Sequence, residues 1–390
     1  MRAGSFLIET RAASKVAQAL SDHTDQLLGA RRRASLDGKG GAVVFVCGQL
    51  SRQLPEVAAA VAELQLPFTV LIAAGASVLS QDGEFEDRSA ASGMIWTGGR
   101  CEGLSVHSRT PDDLGEMLSR LICDRSAKTS PTVLLFPHSE GFSAEALTPL
   151  YQSRGTPHVF GGGTVGPHGS YVVSPNTEPE TGSACMLFLR GIAPPHLRSS
   201  PACRLLTPLR PITEARGAMV LEIDGEPALD VLSGAGEHLE GGHLMLVALA
   251  PEGTSDRHQI GGRADLVLRG VQGVDPARRG IQVSDEIRPG MRVGLAVRDA
   301  HAARTDLEAV ARELVRDIRG AAPSFGVYIN CAGRGSRLYE QFDVDTRILR
   351  QRFPGMPIAG MASAFEIGPH GGRPALQLYS GVLGLFTAPS

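Results

Sequence analysis

The sequence predicts a mixed α/β protein whose mixed β-sheets are flanked by helices and whose two similar halves pack about a pseudo-twofold. Three observations predict it. Apolar, β-branched runs alternate with stretches of helical periodicity, the pattern of β-α-β units with parallel strands. Two of these units share their flanking segments as well as their internal order, which marks an internal duplication. Between them lies a proline-rich stretch, Ile192 to Pro211, that reads as an extended linker.

The first unit opens with the strand GAVVFV, Gly41 to Val46. In LPEVAAAVAEL, Leu54, Val57, Ala58, Val61 and Leu64 fall at helical spacing. Pro55 suits the first turn of that helix, where a missing N–H is harmless. FTVLIAAG then returns as a second strand. In the second unit TVLLFP (Thr132 to Pro137) is a strand, SAEALTPLYQS is helix-like, and PHVFGGG is a strand ending in glycines. VFGGGTVG, Val159 to Gly166, leads to Pro167 and Gly169 instead of a helix, so it is no dinucleotide fingerprint; its glycines point to close backbone approach. In the third unit FGVYIN is a strand, Leu338, Phe342, Ile348 and Leu349 mark a helical stretch, and MPIAG is the following strand.

The second unit is preceded by GLSVHSRTPDDLGEMLSRLI and the third by RVGLAVRDAHAARTDLEAVARELV. Each reads as a short strand, a polar turn and an amphipathic helix. In the latter helix Leu307, Val310, Leu314, Val315 and Ile318 form the expected buried stripe. Asp299 is its expected N-cap, worth about 1 kcal/mol. A late strand follows each unit, SACMLFLRG in one and LYSGVLGLF in the other, expected to run antiparallel to at least one neighbour. Leu104 to Gly191 thus corresponds to Arg292 to Phe386. Domains are expected at 1–192 and 212–390, with 193–211 as the link.

A chain of 390 residues exceeds the ~250–300 of a single core, in keeping with two domains. Hydrophobic content of 42% and charged content of 20% are those of an ordinary globular protein. A net charge of −3 argues against nucleic acid or an anionic membrane as partner, and Arg31 to Arg33 are too few for a basic arm. No apolar run approaches the ~18 residues of a membrane span. SFLI is cut short by Glu9 and Arg11, so no signal peptide is read. The six cysteines contain no C-x-x-C pair, and a reduced, cytoplasmic setting with free thiols is expected. His238 and His243 lack helical i, i+4 spacing and no H-E-x-x-H occurs, so neither a zinc site nor another cofactor is expected.

FGVYINCAGRGSRLY, FPGMPIAGMASAFEIGP and LYSGVLGLF resemble the C-terminal FIST domain, as do LVLRGVQGVDP, IRPGMRVGLAVRDA and MVLEIDGEPALDVL. TVLLFP with HVFGGGTVG, and GAVVFV with LIAAGASVLSQDGE, resemble the N-terminal FIST domain. The resemblance spans nearly the whole chain and implies a duplicated FIST fold. It also implies a stand-alone intracellular sensory protein of signal transduction, binding a small polar metabolite such as an amino acid; its signalling partner is unknown. Two positions depart from the family pattern. Phe365 stands where the family often has glycine before EIGP, and AAGASV lacks the usual cysteine–serine stretch. Three alternatives stay open: a hydrolase acting through Cys331, a sensor that binds haem through a histidine, and an interaction scaffold with a vestigial pocket.

In open α/β sheets ligands bind outside the carboxyl ends of the strands. NCAGRGSR leaves one such end and GMASAFEIGP leaves the next, which brings Asn330 and Ser363 to one expected pocket. Gly333 and Gly335 flank Arg334, so backbone N–H groups can converge as an anion nest beside a guanidinium. Glu366 in the neighbouring loop supplies the opposite charge. Arg334 would take the carboxylate of a zwitterion and Glu366 its ammonium; otherwise the two pair with each other and fix the loops. Arg298, at the end of an earlier strand, is a further pocket candidate. Cys331 has no G-x-C-x-G elbow, and the nearby arginines cannot accept its proton, so it reads as a small buried hydrophobe. His370 is the nearest candidate base. Arg269 and Asp275 flank a turn and read as structural.

Overall fold

The computed structural model describes residues 1–29, 38–126, 131–152, 158–236, 245–254, 266–285, 287–370 and 372–388. Arg31 to Arg33, His238 and His243 lie outside them. The described chain is mixed α/β, as expected, but its repetition goes further than two halves: one connectivity occurs three times.

The first unit runs β1 (Ala3–Glu9), α1 (Ala13–Leu28), β2 (Lys39–Cys47), α2 (Gln49–Arg52), α3 (Leu54–Ala62), β3 (Val70–Ala74), a hairpin of β4 (Ser77–Ser80) and β5 (Gly83–Phe85), then β6 (Ala90–Val106). β2 and β3 are parallel, while β6 returns antiparallel between β1 and β2. The second unit uses the far half of β6, then α4 (Pro111–Ser126), β7 (Thr132–Pro137), a 3-10 helix (Ala144–Gln152), β8 (His158–Gly162), a hairpin of β9 (Ser170–Val173) and β10 (Glu180–Thr181), and β11 (Ala184–Arg190). β7 and β8 are parallel, with β11 antiparallel between β6 and β7.

The third unit begins with β12 (His196–Pro201) and is then interrupted. The insertion contains β13 (Cys203–Leu205), β14 (Arg210–Arg216), β15 (Met219–Ile223), β16 (Glu226–Pro227), α5 (Ala228–Gly236), β17 (Met245–Ala250), β18 (Val267–Asp275), β19 (Gly280–Val283) and β20 (Arg292–Arg298). All its pairings are antiparallel, and because β17 pairs with β20 the sheet closes into a barrel around Ile212, Val247, Ile281 and Leu295. The unit then resumes with α6 (Ala300–Asp317), β21 (Pro323–Cys331), α7 (Ser336–Tyr339), α8 (Val344–Arg352), β22 (Ile358–Ser363), a hairpin of β23 (Glu366–His370) and β24 (Arg373–Gln377), and β25 (Ser380–Thr387). β25 lies antiparallel between β12 and β21, and β21 is parallel to β22. The late strands β11 and β25 therefore run as the sequence predicts.

Two expectations change. The stretch read as a linker is extended, but it pairs: β12 is an edge strand of the six-stranded sheet, where Pro201 leaves no central ladder bond missing, and β13 joins the barrel. Arg292 to Arg298 belongs to the barrel instead of leading the third unit, because the insertion separates β12 from α6.

The units are locked by a cyclic exchange of hairpins. β4 of the first pairs with β22 of the third, β23 of the third with β8 of the second, and β9 of the second with β3 of the first. Their inner faces share one core, in which Trp96 stacks on Phe325 at 5.3 Å, Phe325 on Phe386 at 4.4 Å, and Phe45 meets Phe136 edge-on at 5.6 Å. Helices cover the outer faces. On α6, Leu307, Val310 and Leu314 are buried as read, whereas Val315 is 43% exposed because Ala303 and Ala311 fill the stripe. Phe342 sits in the turn between α7 and α8 and is 61% exposed. In β8 the glycines do permit close approach: a Cβ on Gly161 would lie 2.0 Å from the Leu135 carbonyl oxygen.

Candidate functional site

The loop after β21 is where the sequence places its site, and there the structure pairs the charge of Arg334 from within. Arg334 is 3% exposed. Its Nε lies 2.8 Å from Asp345 Oδ2, Nη1 donates to the Ser200 carbonyl at 2.9 Å, and Nη2 donates to that of Ala303 at 3.3 Å. Asp345 also accepts from the hydroxyls of Tyr328 at 2.8 Å and Tyr339 at 2.7 Å, and from Asn330 Nδ2 at 3.4 Å. Burial opposes the charge on Arg334, but Asp345 and the two tyrosines more than offset it, so the guanidinium stays charged. Arg334 thus neither pairs with Glu366 nor presents its donors to a ligand. It is a strut tying β21, α6, α8 and β12.

The expected anion nest does not form, because the N–H groups of Gly333 and Arg334 turn back to Cys331, but the next residue, Ser336, holds a carboxylate of the first unit. Ser336 donates its N–H to Glu86 Oε1 at 2.9 Å and its hydroxyl to Oε2 at 2.6 Å. Gly335 has φ 75°, and a Cβ there would come within 2.6 Å of Glu86 Oε1. Beside it the Glu84 N–H donates to Asp343 Oδ1 at 2.7 Å, and Thr346 N–H donates to Glu84 Oε1 at 3.2 Å. Arg298 donates to the Gly333 carbonyl, while its guanidinium stands 5.8 Å from the Tyr379 ring.

Glu366 and Ser363 do come together. Ser363 donates its hydroxyl to Glu366 Oε1 at 3.1 Å, and Ser380 donates its N–H and hydroxyl to Oε2 at 2.9 and 2.7 Å. Complete burial pushes the Glu366 carboxyl up to about 8 despite these donors. Cys331 lies nearby and accepts the Gly333 N–H at 3.3 Å. Burial, then Glu366, pushes its thiol up to about 11, the opposite of an activated nucleophile. His370 sits at the far end of β23 from Glu366, so it supplies no base there. Asp299 caps α6 as read, accepting the Ala302 N–H at 2.7 Å. Asp275 accepts the N–H groups of Ala277 and Arg278 and stabilises its turn.

The open space lies elsewhere, between the three-unit body and the inserted barrel. A cleft of about 600 Å³ is lined by Phe142, Ser143 and Glu145 of the second unit, Phe365 and Leu376 of the third, and Arg269, Gln272, Ser284 and Asp285 of the barrel. Phe142 and Phe365 stack at 5.3 Å and form one wall. Arg269 is buried; its Nε donates to Asp285 Oδ2 at 2.8 Å, and Nη1 donates to the carbonyls of Leu268 at 2.9 Å and Leu376 at 3.2 Å. Nη2 has no partner among the described residues. Arg269 is therefore structural, as read, but it also lines the cleft and bonds across it. No signal read from the sequence pointed to this cleft.

Family models match this chain over 42–226, the FIST N domain, and over 230–369, the FIST C domain. The chain belongs to the FIST family, whose domains are described as small-ligand sensory domains of signal transduction. Uncharacterized protein Rv0628c of Mycobacterium tuberculosis (strain ATCC 25618 / H37Rv) is 32% identical over 193 residues, 48% of this chain and 49% of that protein. Uncharacterized protein Mb0898c of Mycobacterium bovis is 30% identical over 203 residues, 50% of this chain and 52% of that protein. The chain spans about half the length of the curated relatives it matches. Among the described residues no helix is long and apolar enough to cross a membrane, and no group of three His, Cys, Asp or Glu could hold a metal ion.

Proposed function

We propose that this protein is a cytoplasmic sensor that reversibly binds a small polar metabolite of amino-acid type in the cleft between body and barrel. The observation that carries the reading is the cleft itself: about 600 Å³, with an aromatic wall on one side and the Arg269–Asp285 pair on the other. A ligand carboxylate would take the Nη2 donors of Arg269, and a flat side chain would lie against Phe142 and Phe365. Because Arg269 belongs to the barrel and donates to Leu376 of the body, occupancy would bias how the two parts sit together, which gives a binding event an output. Serine and glutamine side chains from both parts line the remainder.

A hydrolytic reading through Cys331 finds less support, since that thiol is buried and held at about 11. Among the described residues no histidine lines the cleft, so nothing there favours haem. The test is a thermal-shift panel of amino acids, followed by calorimetry on any hit with the wild type, Phe142→Ala and Arg269→Gln. Each variant should weaken binding at least about tenfold, the loss of one charge-assisted hydrogen bond or one aromatic contact. A hit whose affinity is the same in both variants would place its site outside this cleft.

A further inference from the structure

A second concavity, about 480 Å³, lies at the opposite end of β8 from its glycines, and its lining is cationic. Arg198 of β12, Arg316 and Arg319 at the end of α6, and Arg373 at the start of β24 converge there with His158 and His196. The acidic side chains at this place are already engaged. Arg198 is paired with Asp317 and lies 3.6 Å from Glu313. Arg316 and Arg319 are exposed and make no ion pair among the described residues. Arg319 is held at φ 49°, in the left-handed region, just past the helix end where glycine is usual. Arginines in the last turn of a helix commonly serve only its negative end. That role needs no cavity, no histidines and no arginines from β12 and β24.

We infer that this concavity is a binding site for a small molecule carrying a phosphate or diphosphate group, distinct from the cleft at the barrel. Guanidinium forks match phosphate oxygens bidentately, and several forks from separate elements can surround one such group. The volume exceeds that of the anion alone, and Pro195, Leu197, Pro369 and Pro374 supply apolar walls for the rest of the molecule. The site joins the second and third units at the outer end of their exchanged hairpin, so its ligand would brace the body and not the barrel.

Inorganic pyrophosphate is the probe, titrated by calorimetry into the full-length protein at low and high salt. Binding tighter than about 1 mM is expected at low ionic strength, weakening as salt screens the exposed arginines. Arg316→Ser with Arg319→Ser should lower affinity at least tenfold while leaving the circular dichroism spectrum and melting temperature unchanged. Arg347→Ser with Arg350→Ser, an equal charge change on α8, should leave it intact. No binding by the wild type, or an equal loss in the two double variants, would overturn the proposal.

Discussion

Replacing Arg334 by methionine asks whether its buried ion pair is the strut that the geometry describes. At 2.8 Å, and with an effective dielectric near 20, Arg334 and Asp345 attract by about 6 kcal/mol, part of which offsets desolvation of the two groups. Methionine fills much of the volume but leaves the Asp345 carboxylate buried, with only two hydroxyls and an amide to stabilise it. The carbonyls of Ser200 and Ala303 also lose their donors. The expected loss is about 3–5 kcal/mol, the range for removing one partner of a buried pair. Urea unfolding followed by circular dichroism measures it, with Asp345→Asn and the double variant closing a cycle. The double variant should recover about 1–3 kcal/mol relative to the sum of the singles. Additive singles, or a loss below about 1 kcal/mol for Arg334→Met, would refute the strut and return Arg334 to the status of a free ligand anchor.

Three further outcomes follow from the same network. The Glu366 carboxyl is held at about 8 by burial, so between about pH 4.5 and 8 the folded state holds a proton that the unfolded state releases. Stability should then fall as pH rises through that window, by up to about 1.4 kcal/mol per pH unit, and Glu366→Gln should flatten the dependence; parallel wild-type and variant curves would contradict this. Glu86→Ala removes the acceptor of Ser336 and should lower stability by about 0.5–2 kcal/mol, the range for a lost cap, as read by the urea midpoint. Cys331→Ser should leave the affinity of any calorimetric hit within about tenfold, and native Cys331 should resist iodoacetamide at neutral pH; a rapid adduct would reopen the hydrolase reading.

Much of the body was legible because long apolar periodicity reports directly on burial. β2, α3, β3, β7, β8, β21 and β22 lie where the runs and stripes placed them. The barrel was not legible as a barrel: its strands are short or partly exposed, and closure depends on a β17–β20 pairing that no local pattern encodes. The third copy of the repeat was hidden for a related reason. The first and second units share the long strand β6 within one eleven-stranded sheet, and in the third unit the leading strand is separated from its helix by the whole insertion. Val315 shows the limit of periodicity on a helix, since small residues can fill the buried stripe and leave a larger one outside, and Phe342 is exposed because the helical stretch breaks into a turn there.

The closure of the expected pocket has a single physical cause. The crevice beyond the carboxyl ends of parallel strands is a ligand site when nothing else occupies it. Here the hairpin β4–β5 adds to the edge of β22 and carries Glu84 and Glu86 over the loops that leave β21. A carboxylate does sit beside Gly335, held by Ser336, but it is the protein's own, and the N–H groups of Gly333 and Arg334 turn back to Cys331 instead of converging on it. Arg334 is turned inward by Asp345, a residue whose role follows only from tertiary proximity. With these charges paired, a cleft of about 600 Å³ still opens where the barrel meets the body, and its wall includes Phe365. Phe365→Gly removes half of the stack with Phe142, so calorimetry on any hit should show a larger loss of affinity for it than for Arg334→Met, and equal losses would count against the cleft.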